Sequence, residues 1–451
     1  MHRYVRAALV AALLVSPLVA AAPSAAAPSA AAPAPVAPAP VAPAPVAPAP
    51  VAPAPVAPAP VAPAPVGPAP VGPAFVGPWT GAWATSPQRE AGPAFADQTL
   101  RLLVHPTLGG SPVRIRLSNR FGAEDVTFGA VSAARAVAAG APDLVAGTAR
   151  RVTFRGRSTV TVRTGTEVVS DPVELAVAPG QDLAVDLYVT AGGDAAAITG
   201  HDAAQGTQFV AAGNQAGALG TPFTGTVNSW FWLGGVDVRP APAAAGSIVA
   251  LGDSITDGAY TTWNGNDRWT DQLAARLRAR PAGGRYGVLN QGIGGNQILT
   301  DRTDCCGAGT SIAALSRERA DVRQQTRVRY LILAEGINDI GYHAGADALI
   351  AGMRTIADRA HRAGITVIGA TITPYGCDAG CFGSDQEATR QQVNTWIRTT
   401  PAIDGVADFD AAVRDPQDPS RVLPAYQADP LHPNVAGQRA LAESIDLTLF
   451  R

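Results

Sequence analysis

Lysine is missing from this chain altogether. All 34 basic residues are arginine, set against 36 acidic ones, for a formal net charge of −2. No basic stripe and no long acidic run is visible, which argues against nucleic acid as the main partner. Cysteine is scarce: Cys305, Cys306, Cys377 and Cys381 are the whole supply. They are not arranged as two C-x-x-C knuckles and no histidine sits at ligand spacing, so no metal site is expected. Past the N-terminus no apolar run is long enough to span a bilayer, which requires about 20 residues.

What is present begins with "MHRYVRAALVAALLVSPLVAAAPSAAAP". Arg3 and Arg6 make a positive start, Ala7 to Val19 an apolar core, and small residues follow. This is the layout of a secretory signal peptide over residues 1–27, with cleavage expected between Ala20 and Ala27. The chain is thus expected to be extracellular, possibly wall-associated, where an even cysteine count suggests disulfides. Cys377 and Cys381 could close a small loop, or pair across loops with Cys305 and Cys306; adjacent Cys305 and Cys306 would be strained if joined to each other.

Over residues 28–78 the repeat "APAPV" dominates, with valines every fifth position from Val36 to Val76. Proline at this density cannot build a core and favours an extended spacer, on the order of 140 Å long at full stretch. A passive linker is the plainer reading, a stalk the functional one.

Residues 79–243 switch to period two. "PVRIRLSN" sets Val113, Ile115 and Leu117 against Arg114, Arg116 and Ser118, and "DLAVDLYV" and "STVTVRT" behave alike. Short strands with one buried face, punctuated by Gly and Pro, predict an antiparallel β-sandwich or jelly roll. His201 and the aromatics of "SWFW" could suggest carbohydrate binding, but packing is the simpler expectation.

From residue 244 to 451 strands alternate with amphipathic helices. The strands are "SIVALG", "YGVLNQG", "VRYLILAEG", "ITVIGATITP" and "GVADFD". That pattern predicts a parallel sheet with helices on both faces, an α/β layered fold whose ligands bind beyond the carboxyl ends of the strands. Four strand-end or loop segments then stand out. "GDSIT" places Ser254 just past the first strand, "GIGGNQ" carries Gly295, "EGIND" carries Asn338, and "DPLHPN" holds Asp429 three residues before His432. Ser254 alone could be a helix cap. With His432 as base, Asp429 as its orienter and Gly295 and Asn338 as donors, it is a candidate nucleophile. "GIGGNQ" lacks the last glycine of a dinucleotide fingerprint, so no cofactor is expected.

These four blocks resemble, in order, those of the SGNH or GDSL-type hydrolase family. The resemblance covers Ile248 to the C-terminus, under half of the chain. It implies a flavodoxin-like three-layer fold and ester hydrolysis through an acyl-enzyme. It also implies Ser254, Asp429 and His432 as catalytic residues, with Ser254, Gly295 and Asn338 forming an oxyanion hole. Ile255 stands where many members have Leu, and the cysteines are not part of the family pattern. The absence of G-x-S-x-G disfavours the α/β-hydrolase alternative. The segment beginning "GAWATSPQ" resembles the N-terminal part of secreted actinobacterial esterases related to a xylan-locus arylesterase/acylhydrolase. Trp263 and His343 are candidates to line the substrate pocket, and Trp269 is expected in the core. The expected partner is a small-molecule, glycan or lipid ester, met by a monomer without a membrane span. The reading is a secreted esterase, with polysaccharide acyl or aryl esters as one substrate class and a lipase or phospholipase as the alternative. A wall-associated binding protein with a degenerate hydrolase is the reading from another class.

Overall fold

The chain's computed structural model describes residues 78–91, 93–193, 197–241, 244–280, 286–302 and 311–451. The leader, nearly all of the proline repeat, Cys305 and Cys306 lie outside the described residues. Among those described, no helix is long and apolar enough to cross a membrane.

The first half is antiparallel β-structure, as the period-two pattern predicts. One sheet orders Thr80–Ala84, Leu233–Val238, Val113–Ser118 and Glu167–Val169. A larger sheet runs Gly225–Val227, Gln208–Ala212, Gln98–Val104, Leu183–Ala191, Val126–Arg135 and Arg150–Val152, with Val160–Val162 also paired to Val126–Arg135. Ile115 and Leu117 of the smaller sheet share a core with Leu100, Leu102 and Leu187 of the larger one. Trp232, the last aromatic of "SWFW", is buried there edge-on to Phe95 and Phe128. The alternation in "PVRIRLSN" predicts a polar, open second face, but Arg116 and Ser118 are buried too. The C-terminal half covers that face: the Arg116 guanidinium donates to Gln325 and lies against Asp237.

The second half contains a five-stranded parallel sheet. Its spatial order is Tyr286–Gly292, Gly246–Gly252, Val328–Ala334, Thr366–Ala370, Gly405–Ala407, so the first strand in sequence lies second. Ile248, Val249, Ala250 and Leu251 are all fully buried, which is why this strand reads as a continuous apolar run. The helices form two packed groups, Trp269–Arg278 with Val435–Ser444 and Ala346–Arg362 with Ser384–Thr399. Trp269 is fully buried against Phe409. The segment "SIAALSRERADVRQQ" is less regular than its pattern suggests, with an α-helix over Ala314–Glu318 and a π turn over Arg319–Arg323.

The two halves meet along the edge strand of the parallel sheet. Strand Thr80–Ala84 lies on Tyr286–Gly292, and the Thr107 hydroxyl donates to Val288 O while accepting from Val288 N–H. Gly287 is there because nothing larger fits: a Cβ would stand 1.8 Å from the Gly81 carbonyl oxygen. Gly287→Ala is expected to destabilise the protein by about 3 kcal/mol, as overpacking against fixed backbone does. Urea denaturation monitored by tryptophan fluorescence reads this directly, and an unchanged midpoint would contradict the contact.

Candidate active site

The chemistry-bearing residues converge at the carboxyl ends of the parallel strands. Strand Gly246–Gly252 runs into a short helix, Ser254–Asp257. Its cap is Asp253, whose Oδ1 accepts from Ile255 N–H at 2.9 Å. The capping role that could have explained Ser254 therefore belongs to its neighbour, and Ser254 is the first helical residue. The Ser254 Oγ lies 2.9 Å from His432 Nε2. On the other side of the ring, His432 Nδ1 lies 2.9 Å from Asp429 Oδ2. Asp429 Oδ1 also accepts from the backbone N–H groups of Leu431 and His432, at 2.8 and 2.7 Å. Base and carboxylate thus sit on one turn, and Asn434 anchors that turn by capping helix Val435–Ser444. Burial pushes the Asp429 carboxyl up. The hydrogen bonds from His432 and Leu431 outweigh burial and hold the carboxyl below its ordinary value. This arrangement turns Nδ1 toward Asp429 and Nε2 toward the serine hydroxyl, the orientation that a general base requires.

Gly295 has φ +66°, a conformation that glycine adopts without strain. Asn338 begins beyond strand Val328–Ala334 and donates one Nδ2 hydrogen to Asn296 O at 2.9 Å, leaving the other available. Ser254, Gly294, Gly295, Asn338, Leu431 and His432 line a cleft of about 400 Å³, closed from the β-rich half by Gln88, Asp202, Ala203 and Gln205. Trp263 and His343 do not line this cleft. Trp263 is half exposed, with its indole N–H on Thr207 Oγ1 at 2.9 Å. His343 is exposed on the loop after the Asn338 helix. The aromatic ring beside the imidazole is Tyr260, 5.3 Å from His432 between centroids. It follows the "GDSITDG" block directly, yet only the fold shows that it meets a residue 172 positions later.

Behind the cleft lies an ionic network that no motif announces. Arg317 is buried and donates to Gly252 O, Gln291 O, Asn296 Oδ1, Ser86 Oγ, Asp321 and Glu335. One guanidinium therefore joins the ends of the first two parallel strands to the loop carrying Gly295. Asp253 is pushed up to about 7 by burial. Glu335 is raised by burial and by the charge of Asp253, with Arg317 opposing. Asp339, raised to about 6 by burial, accepts from Ile298 and Leu299 N–H and so braces the same loop. His201, expected to pack, does so beneath Trp230. It also reaches Asp257 of the serine helix at 3.0 Å.

Cys377 and Cys381 form a disulfide, the local-loop pairing. Among the described residues no cluster of His, Cys, Asp and Glu could hold a metal ion.

Residues 250–440 match the family model described as the GDSL-like Lipase/Acylhydrolase family. This stretch is similar to GDSL-type hydrolases. The activity that goes with it is carboxylic ester hydrolysis. Solved structures similar to the chain include a lipolytic protein of the G-D-S-L family from Veillonella parvula, 20% identical over 44% of this chain and 94% of that one, with a TM-score of 0.31. An acetylxylan esterase from Geobacillus stearothermophilus is 20% identical over 45% and 92%, with a TM-score of 0.33. A GDSL-like lipase from Bacteroides thetaiotaomicron is 19% identical over 44% and 84%, with a TM-score of 0.31. No curated protein matches the chain.

Two outcomes test the electrostatics around the hydrolase domain's cleft. Arg317→Met removes the donor shared by Gly252 O, Gln291 O and Asn296 and leaves Asp321 with Arg120 alone, and is expected to cost about 3–5 kcal/mol in chemical denaturation. Glu90, in the β-rich half, is raised to about 7 by burial and then by the charge of Asp202. The folded protein thus keeps a proton that the unfolded chain loses near the ordinary value, so stability falls as pH rises from about 4.5 to 7. Glu90→Gln removes this dependence, and its stability relative to the parent should rise between pH 5 and pH 8 by on the order of 3 kcal/mol. Parallel pH profiles for the two proteins would contradict it.

Proposed function

We propose that the chain is a secreted serine esterase that cleaves acyl esters of carbohydrates. Ser254 Oγ attacks the ester carbonyl while His432 Nε2 takes its proton, and Asp429 stabilises the imidazolium. The negative charge of the tetrahedral intermediate is received by the N–H groups of Ser254 and Gly295 and by the Asn338 side-chain amide. His432 returns the proton to the departing alcohol. Water then attacks the acyl carbon as it gives a proton to His432, and His432 hands that proton to Ser254 Oγ as the acid departs. The observation that carries this reading is the unbroken chain from Ser254 through His432 to Asp429 at 2.9 Å for each link, opening into the cleft.

Export is read from the leader over residues 1–27, with residues 28–78 as spacer, 79–243 as a β domain and 244–451 as the catalytic domain. The Cys377–Cys381 disulfide fits an oxidising compartment. A carbohydrate ester is a substrate class that an exported esterase meets outside the cell, and polar side chains of the β-rich half close the cleft around Ser254.

Ser254→Ala is expected to lower kcat on p-nitrophenyl acetate by at least about 10⁴-fold without changing the melting temperature appreciably. Asp429→Asn should lower it by up to about 10⁴-fold, since the imidazole loses its orienting acceptor. Retention of full activity by Ser254→Ala would overturn the assignment.

A further inference from the structure

The wall of the cleft opposite Ser254 is built by the β-rich half, and its side chains are those of a hydrogen-bonding surface. Gln88 comes from strand Gln88–Glu90, which pairs with Ile198–Gly200; Asp202 and Gln205 come from the loop that follows. Gln88 is only 3% exposed. Its Oε1 accepts from Asp202 N–H at 3.3 Å, which turns Nε2 away from that bond, and Nε2 has no partner among the described residues. Nε2 is not among the buried atoms left without a partner, so it is a donor that the cleft reaches and that a ligand acceptor can meet. Asp202 Oδ1 accepts from Ala203 N–H at 2.8 Å, and the residue lines the same cleft.

The loop is held, not loose. Ala203 and Gln205 have φ of +58° and +50°. The chain between them is clamped by Arg268, whose guanidinium donates to Ala204 O at 2.8 Å, and by Asn264 N–H on Gln205 O at 3.0 Å. Arg268 and Asn264 both belong to the segment after the serine helix, so the wall is registered against the nucleophile itself.

We propose that Gln88, Asp202 and Gln205 form a subsite for the alcohol part of the ester, and that this alcohol is a neutral, hydroxyl-rich group such as a sugar ring. The inference rests on the esterase reading and adds which half of the ester the β-rich half selects. The carbonyl oxygen is served by the donors at Ser254, Gly295 and Asn338. A plain acyl chain has nothing to offer an amide donor and a carboxylate. Sugar hydroxyls both donate and accept, so one ring satisfies Gln88 Nε2 and Asp202 together. The Asp202 charge repels a phosphate-bearing alcohol, which disfavours a phospholipid headgroup.

The test uses the full chain and pairs of acetates that differ only in the alcohol. Acetylated methyl xyloside and cyclohexyl acetate present rings of the same size with and without hydroxyls. The expected kcat/KM ratio is at least about tenfold in favour of the xyloside. That ratio should collapse toward one in Gln88→Leu and in Asp202→Asn, the latter being a half-exposed loop change that keeps the side chain's shape. Glycerol acetate should also be preferred over its phosphate-bearing counterpart, and Asp202→Asn should narrow that preference. A parent ratio near one, equal losses on both acetates in the variants, or preference for the phosphate-bearing ester would each overturn the subsite while leaving the esterase standing. Absence of any hydrolysis, p-nitrophenyl acetate included, would overturn the esterase reading and the subsite with it.

Discussion

The Arg317 guanidinium is the interaction on which the geometry of the cleft depends. At the carboxyl end of a parallel sheet the strands give way to loops that the inter-strand ladder no longer holds in register. Here one planar cation reaches Gly252 O and Gln291 O, at the ends of adjacent strands, and also Asn296 of the loop between them and the Asn338 helix. Asn296 in turn accepts from the Asn338 amide. The serine strand, the glycine loop and the asparagine are thereby referenced to a single buried group. Asp321 and Glu335 are among its acceptors, and the planar, permanently charged fork of arginine suits this many acceptors better than a lysine would.

The dependence extends to the β-rich half. Ser86 is a further acceptor of Arg317, His201 holds Asp257 of the serine helix, and Arg268 holds the loop that closes the cleft. The antiparallel half is therefore part of the site's construction, and a description confined to residues 250–440 would leave the cleft with one wall missing.

How much of this could be read beforehand follows from the range of each interaction. Strand and helix patterns around Ile248–Gly252 and Ala346–Arg362 come from local burial, and periodicity reports local burial. Ser254, Gly295, Asn338, Asp429 and His432 could be picked out because each lies at a strand end or on a turn whose letters carry the chemistry. Their proximity is a matter of geometry, and the fold brings Ser254, His432 and Asp429 into one hydrogen-bonded chain. Arg317 could not be picked out: inside a helical stretch an arginine looks like a solvated face, and only long-range contacts make it a buried hub. Arg116 and Ser118 were expected to face water for the same reason, because alternation cannot show that a second layer covers the polar face. Trp263 follows the serine block in sequence but does not line the cleft. The chain instead turns at Tyr260, which has φ +61° and stands beside the imidazole.

The glycine contact between the halves carries a consequence for how the protein is made. Strand Leu233–Val238 must come back to pair with Thr80–Ala84, so the smaller sheet closes only when nearly all of the β-rich half has been synthesised. The surface that then receives Gly287 is presented by Thr80–Ala84, while Tyr286–Gly292 emerges later still. The surface that receives the edge of the parallel sheet thus precedes that edge in the order of synthesis. Once packed on it, Val288 and Leu289 are buried, and a sheet edge that would otherwise be free to pair with another chain is covered.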